Sequence, residues 1–424
     1  MVSSVALPLV AVDRLHASTF VVGALEAIGW LPAVLIGLPA GALLDRHQPR
    51  ARAVMMAANL GQAAAVASVP AAAAAGVLNV PVLLGAAGVA GLFTVWFQAG
   101  YNPYLRALVA GDDYLRANAR TGGARSAATL AGPSLAGALV EAVGSATTIF
   151  TDVASFLVSF VSLALLAKGR QLVASEAGGS LLAQVKEGLT HLWASPLLRT
   201  LAWASATLNL FLTAIGAIEI VFLVRQVHAS SAWVGGLIAL GGIGGVAASL
   251  LAGPLTRRFG LEALARTAVA VTAPAALLIP LTSRGLGMVF FAFAGPPTSL
   301  GIALAGISFL TLRLQHCPPE LQARVSTTTR AFTAAAIPMG ALIGGVLGQL
   351  LGNRLALGLL AAGYLAIAVV VFTNTSLRDP ATPLSAPRKS PIDQPPTSAR
   401  LRPWRVALSS REACSALRAP PPGL

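Results

Sequence analysis

The sequence predicts an all-α polytopic membrane protein, and three observations support that prediction. Of the 424 residues, 56% are hydrophobic and only 10% are charged, whereas about 25% are charged in an ordinary soluble domain. Mean hydropathy is +0.76, which is more apolar surface than a soluble fold of this size can bury. The apolar residues form long continuous runs, so helices are favoured over a β-barrel, whose strands alternate in polarity.

A helical span needs about 20 apolar residues, because the hydrocarbon core of a bilayer is about 30 Å thick. This composition excludes a soluble enzyme, and two distant cysteines exclude a secreted disulfide scaffold. Eleven segments have the required length, in the order 20–44, 51–75, 78–105, 122–143, 146–167, 199–224, 232–256, 262–283, 286–312, 326–350 and 353–373.

Residues 1–12 are apolar but too short to span a bilayer, because twelve helical residues rise only about 18 Å. Asp13 and Arg14 follow, and the segment lacks the basic start and the cleavage site of a signal peptide. We interpret it as the second half of a first helix whose start is missing, so that the intact parent would have twelve spans. A gene that begins upstream and a truncated copy are both compatible with this interpretation.

The distribution of basic residues predicts the orientation of the chain across the membrane. If the connections after every second span are assigned to one side, that side carries seventeen Lys and Arg residues and the opposite side carries four. The positive-inside rule places the richer side in the cytoplasm of a plasma-membrane protein, with a cytoplasmic C-terminus. The net charge of +14 does not predict a nucleic-acid partner, since the basic residues lie in short clusters between apolar runs.

Four regions follow from these patterns. Residues 1–167 form an N-terminal helix bundle and residues 199–373 a C-terminal one. Between them, residues 168–198 form a cytoplasmic loop whose apolar residues have near-helical spacing, which favours an amphipathic surface helix or a plain linker helix. Residues 374–424 are rich in proline and arginine, and we predict a disordered cytoplasmic tail.

The two bundles echo each other in sequence. The segment AGALLDR at 40–46 has a counterpart, AGPLTRR, at 252–258, and residues 112–117 align with 318–323. Parallel repeats of this kind build transporters in which the substrate site lies between the two halves near the midplane of the membrane.

Four segments resemble one family. GLPAGALLDRHQPRAR (37–52) is similar to the signature loop of the major facilitator superfamily. LVAGDDYLRANAR (108–120), VKEGLTHLWASPLLR (185–199) and PPELQARVS (318–326) resemble segments of its multidrug, macrolide and siderophore exporter branch. The resemblance covers about residues 1–378. It implies a bundle of six plus six helices and a monomer that exports a small amphipathic compound in exchange for protons.

The resemblance also implies roles for particular residues. In the signature loop, Gly41, Asp45, Arg46 and Arg50 match the cluster that latches the two halves in the outward-facing state. A glycine would let helix backbones approach closely, and the carboxylate would pair with a nearby arginine or a helix N-terminus. The alternative is that these basic residues only hold the loop inside.

In the fifth span, Gly132, Pro133 and Gly137 resemble a motif found in exporters of this superfamily. Proline removes a backbone hydrogen bond, and glycine removes bulk, so this helix is predicted to kink and to pack closely where the two halves meet. The alternative is ordinary packing of small residues.

Three carboxylates within the spans are candidates for proton coupling, because a charge in the membrane is costly and therefore suggests a function. They are Glu219, which we expect to be the deepest, Glu26 and Asp152. The alternatives are a group that faces water in the lumen, or a pair with a basic residue such as Arg225.

The sequence indicates no metal site and no cofactor, since it has neither a His/Cys cluster nor a phosphate-binding loop of the form GxxxxGK[ST]. Two rival interpretations stay open. One is a channel or the membrane subunit of another transport system. The other is a truncated membrane protein that does not transport.

Overall fold

A computed structural model of the chain describes residues 3–109, 112–166 and 181–374. Within these ranges it contains eleven helices that are long and apolar enough to span a membrane, and one shorter apolar helix near the N-terminus. The predicted fold class, an all-α membrane protein with eleven complete spans, is confirmed, and the shorter helix lies where the partial first helix was predicted.

We number the helices in chain order. They are α1 (Ser3–Asp13), α2 (Thr19–Arg46), α3 (Ala51–Ala74), α4 (Val80–Leu108), α5 (Asp112–Val143), α6 (Ser145–Leu165), α7 (Leu181–Ala194), α8 (Pro196–Arg225), α9 (Ser231–Phe259), α10 (Leu261–Ala276), α11 (Val289–His316), α12 (Pro319–Leu351) and α13 (Asn353–Thr373). The predicted tail, apart from Asn374, lies outside the described residues.

Some boundaries differ from those expected. Helices α5 and α12 begin at Asp112 and Pro319, well before the apolar runs that start at 122 and 326. Their polar first turns continue the helix because the intrahelical hydrogen bonds do not depend on an apolar surrounding. Helix α10 ends early, at Ala276, and a short 3-10 turn over Ile279–Leu281 follows. Proline in that turn has no N–H with which to continue an α-helix.

The order of helix packing is the same in the two halves of the molecule. In the first half, α2 packs on α4, α4 on α3, α3 on α6, and α6 on α1. In the second half, α9 packs on α11, α11 on α10, α10 on α13, and α13 on α8. The molecule is therefore built from two copies of one six-helix arrangement.

Because consecutive spans alternate in direction, the connections after α2, α4, α6, α9 and α11 share one end of the bundle. We call this the basic end, since most of the arginines lie there. The other connections share the arginine-poor end, which carries Arg14, Arg225, Arg284 and Arg354.

At the basic end, Arg52 fixes the C-terminus of α6. Its Nε donates to the carbonyl oxygen of Leu163 and its Nη2 to that of Ala164, both at 2.8 Å. A guanidinium suits this site because it offers two donors in a fixed geometry, and because a cation is stabilised at a helix C-terminus.

We expect Arg52→Ala to destabilise the protein by about 1–3 kcal/mol, since it leaves two carbonyl groups without their donor. Arg52→Lys should restore part of the loss. Thermal unfolding of the purified protein in detergent measures the effect, and Arg50→Ala, at an exposed position two residues away, is the control. Equal unfolding temperatures for Arg52→Ala and Arg50→Ala would contradict this role.

Candidate functional site

The first contact between the halves is the crossing of α5 with α9. A Cβ on Gly235 would meet the carbonyl oxygen of Pro133, and a Cβ on Gly137 would meet that of Ser231. Gly132 is also buried. The predicted glycine-proline segment therefore lies where the two halves approach closely, and its partner on α9 is a glycine that sequence reasoning did not single out.

The second contact is the crossing of α2 with α12. A Cβ on Gly23 would lie 2.9 Å from the Cα of Gly345, and one on Gly348 would lie 2.7 Å from the Cγ2 of Thr19. Two further glycines of α12, Gly340 and Gly344, face the backbone of α8 instead. Helix α12 thus uses one set of small residues inside its own half and another set across the halves.

Polar contacts join the halves at the arginine-poor end. The hydroxyl of Thr19 donates to Oδ1 of Asn353 at 2.9 Å in a buried position. Nη2 of Arg225 donates to the carbonyl oxygen of Ala17 at 2.7 Å. Arg225 is therefore bonded to the first half of the chain, and the sequence-based alternative in which it pairs with Glu219 is wrong.

Glu141, at the arginine-poor end of α5, caps the N-terminus of α9 from the other half. Its Oε2 accepts from the hydroxyl of Ser230 at 2.7 Å and from the amide N–H of Ala232 at 2.8 Å. A carboxylate is stabilising there because the first amide groups of a helix have no partner within it. Each separation of the halves at this end must break these two bonds.

We expect Glu141→Ala to raise the hydrogen-exchange rate of the Ala232 amide about fivefold or more, since a helix cap contributes about 1 kcal/mol. Glu141→Gln should have a smaller effect, because its amide oxygen still accepts. Hydrogen exchange followed by mass spectrometry over 231–234 measures it. Glu262→Ala, at the basic end of α10, is the control, and a rate unchanged by Glu141→Ala would contradict the cap.

The basic end is open between the halves. Along α5, residues 120–124 and 126–129 are all exposed. A consecutive helical stretch of that length presents every face of the helix, so both the face toward lipid and the face toward the second half are uncovered there. The two halves therefore make close contacts at the arginine-poor end, whereas α5 is uncovered at the basic end.

The signature loop lies at this open end. A Cβ on Gly41 would have no neighbour within 4 Å, so the expectation that Gly41 allows a close helix approach is wrong for this arrangement of the helices. The physical reason is that the Cβ direction of Gly41 points into open space and not toward a neighbouring helix. Arg50 is exposed, and the side chains of Asp45 and Arg46 lie outside the described residues.

Glu26 of α2 and Glu219 of α8 lie on helices of different halves that meet at Ala27 and Ala217, one and two residues away from the carboxylates. Both lie about two turns from the arginine-poor ends of their helices, so Glu219 is not deeper than Glu26, contrary to expectation. Beside them, α2, α8 and α12 meet in a cluster of three buried alanines, Ala27, Ala217 and Ala341.

Within the described part of the chain, neither carboxylate has a counter-charge at ion-pair distance. Among the described residues, no Lys, Arg or His nitrogen lies within 4.0 Å of Glu26 or Glu219. Two like charges in an apolar surrounding repel strongly. A proton or a cationic group placed between them relieves that repulsion, so the pair can bind and release positive charge.

Asp152, the third predicted carboxylate, lies elsewhere and has a different environment. It is buried on α6, and its Oδ2 accepts from the amide N–H of Ser3 at 2.6 Å. This places the carboxylate at the first turn of α1, where it is already engaged with the backbone. The structure therefore brings together two of the three candidate carboxylates and separates the third.

Comparisons with known proteins agree with this architecture. A family model described as Major Facilitator Superfamily matches residues 1–337. A protein of Sinorhizobium fredii, named as the MFS-type transporter y4rN, is 28% identical over 381 residues, covering 84% of this chain and 87% of the relative.

Solved structures show the same fold. A mutant form of the nucleoside transporter NupG has a TM-score of 0.72 at 13% identity, covering 89% of this chain and 96% of its own. An inward-facing bacterial homologue of the iron transporter ferroportin has a TM-score of 0.65 at 19% identity, with coverages of 88% and 94%.

Proposed function

The chain belongs to the major facilitator superfamily, and from this premise we propose that it is a secondary transporter that exports a small amphipathic compound in exchange for protons. It is a multi-pass membrane protein and a transporter, not an enzyme. The compound is of the drug, macrolide or siderophore-like kind, because four loop segments resemble the exporter branch that handles such molecules.

The observation that carries this proposal is the uneven contact between the halves, which meet closely at the arginine-poor end and leave α5 uncovered at the basic end. Alternating access requires a site between two halves that rock against each other. The positive-inside rule puts the basic end in the cytoplasm of a plasma-membrane protein with a cytoplasmic C-terminus. The described arrangement is then the inward-open state, ready to take up a compound from inside the cell.

In the proposed alternating-access motion, each of the two bundles moves as a rigid unit within a single monomer. The bundles are residues 1–167 and 199–373. To open outward, the crossings at Gly137 and Gly345 and the cap by Glu141 must separate. Closure of the basic end would then bring the signature loop, with Gly41 and Asp45, against the second half. The open space around Gly41 in the inward-open state supports this assignment of the latch to the opposite state.

Proton coupling is assigned to Glu26 and Glu219. Their carboxylates belong to different halves, so each change between inward-open and outward-open arrangements changes their separation and their access to water. A carboxylate pair whose repulsion depends on the state of the transporter binds protons in one state and releases them in the other. Asp152 is a weaker candidate because its carboxylate already accepts a hydrogen bond from the amide N–H of Ser3.

Proteoliposomes test the proposal. The full chain is reconstituted in vesicles loaded with ethidium or with radiolabelled erythromycin, and a pH gradient is imposed across the membrane. We expect probe movement that needs the protein and stops when a protonophore collapses the gradient. Protein-dependent movement that persists without a gradient would contradict proton coupling, and the absence of movement of both probes would contradict the proposed compound class.

A further inference from the structure

Helix α7 is attached firmly to the second half of the molecule at the basic end. Glu187 forms an ion pair with Arg324 of α12. Gly188 lies directly against the backbone of Arg324 and the hydroxyl of Thr328. Leu192 is 2% exposed and belongs to a small apolar cluster with residues of α8 and α12. The position of the outer face of α7 is thus fixed relative to α8.

Aromatic rings cover the outer side of the contact between α7, α8 and α12. Trp193 and Trp203 stack edge to face with ring centroids 6.1 Å apart, and Trp203 contacts Phe332 in the same way at 5.0 Å. The two tryptophans are 41% and 50% exposed. Exposed tryptophans at the end of a membrane bundle are typical of the headgroup level of the bilayer, where their amphipathic rings are stable.

One cation completes this surface. Arg199 of α8 is exposed and lies one turn before Trp203, on the same face of the helix. Glu187, the acidic residue of α7, is already paired with Arg324. Among the described residues, no carboxylate lies within ion-pair distance of Arg199. An uncompensated guanidinium therefore lies next to exposed rings, in a shallow hollow that encloses about 10 Å³.

We propose that this surface, lined by Leu192, Trp193, Arg199, Ala202, Trp203 and Phe332 and called here the α7 joint, binds an anionic phospholipid of the leaflet next to the basic end. The lipid phosphate contacts Arg199, which can bind it with two donors, and the upper part of an acyl chain lies along Trp203 and Phe332. The hollow is too small for a transported compound, so this site is distinct from the proposed transport path between the halves.

Tryptophan fluorescence in vesicles tests the site, because a brominated acyl chain quenches an indole ring that it touches. The full chain is reconstituted in phosphatidylcholine with a minor fraction of brominated phosphatidylglycerol or of brominated phosphatidylcholine. We expect the anionic lipid to quench with about fivefold higher apparent affinity, which is the effect of one basic residue near a membrane surface. The double variant Trp193→Phe, Trp203→Phe identifies the share of the signal that comes from the α7 joint.

Arg199→Gln should remove the preference for the anionic lipid, and Arg199→Lys should retain most of it. Arg284→Gln, which removes one exposed cation at the arginine-poor end, is the matched control and should leave the preference unchanged. Equal quenching by the two lipids in the parent protein would overturn the proposal, as would a preference that survives Arg199→Gln. Displacement of the brominated lipid by inorganic phosphate would show a free-anion site and would also overturn it.

Discussion

Gly235→Val is expected to abolish transport by forcing apart the ends of α5 and α9. The new side chain would occupy the position of the carbonyl oxygen of Pro133, and a backbone atom cannot move aside as a flexible side chain can. Overpacking of this kind costs about 1–3 kcal/mol. In the proposed mechanism the crossing exists only while the arginine-poor end is closed, so that cost would shift the equilibrium toward the open arrangement by about 5- to 150-fold.

The distance between spin labels on the two halves measures this shift. Cysteines at Val77 and Leu286, which are 60% and 95% exposed in connections at the arginine-poor end, suit double electron–electron resonance in a background without Cys317 and Cys414. We expect a longer distance to dominate in Gly235→Val.

Gly236→Val is the matched control for this change. It adds the same side chain one residue further along α9, where a Cβ would have no neighbour within 4 Å. Parent-like distances and parent-like transport are expected. A Gly235→Val protein with the parental distance distribution would show that the α5–α9 crossing does not hold this end closed.

Glu219→Gln is expected to reduce transport driven by a pH gradient to the level of vesicles without protein. Glutamine has nearly the same shape but cannot take up or release a proton, so the pair with Glu26 loses its titratable partner. Counterflow of the same probe, which needs alternating access but no net proton movement, should persist. A variant that had failed to fold would lose both activities, and so the two measurements separate coupling from stability.

Glu26→Gln should behave as Glu219→Gln does, because the proposed coupling needs both carboxylates, which lie on helices that meet across the halves. Asp152→Asn is the comparison, since the carboxylate of Asp152 is bonded to the amide of Ser3, and it should retain gradient-driven transport. Full gradient-driven transport in Glu219→Gln would remove this residue from the coupling mechanism. Loss of coupling in Asp152→Asn alone would move the proton site to α6.

Much of the candidate site could be predicted residue by residue, but its pairings could not. Glu26 and Glu219 were identified because carboxylates are rare in membrane spans, and Gly137 because a glycine-proline segment suggests close packing. Their partners carry no comparable signal. Gly235 lies among other glycines in an apolar helix, and Gly236 beside it looks the same in the sequence, although only Gly235 touches the other half.

The polar contacts at the arginine-poor end also show that the sequence predicts individual residues but not their partners. Glu141 lies at the end of a span and Ser230 in a short connection, and nothing in their surrounding sequence joins them. Arg225 was an alternative partner for the carboxylates of the spans, yet it bonds to Ala17 of the other half. The local sequence around Arg225 does not reveal this partner because it carries no information about contacts between distant segments.

The amino-acid sequence alone determined that this chain forms eleven membrane-spanning helices and a shorter one in two related halves. It could do so because the bilayer leaves no partner for an unpaired backbone group, so a sufficiently long apolar run must become a helix. Only the tertiary structure decided which faces meet, that the helices of Glu26 and Glu219 pack together at Ala27 and Ala217, and at which end the two halves are in close contact. A helix that is apolar on all sides does not reveal its rotation, since that is set by small residues packing against particular neighbours.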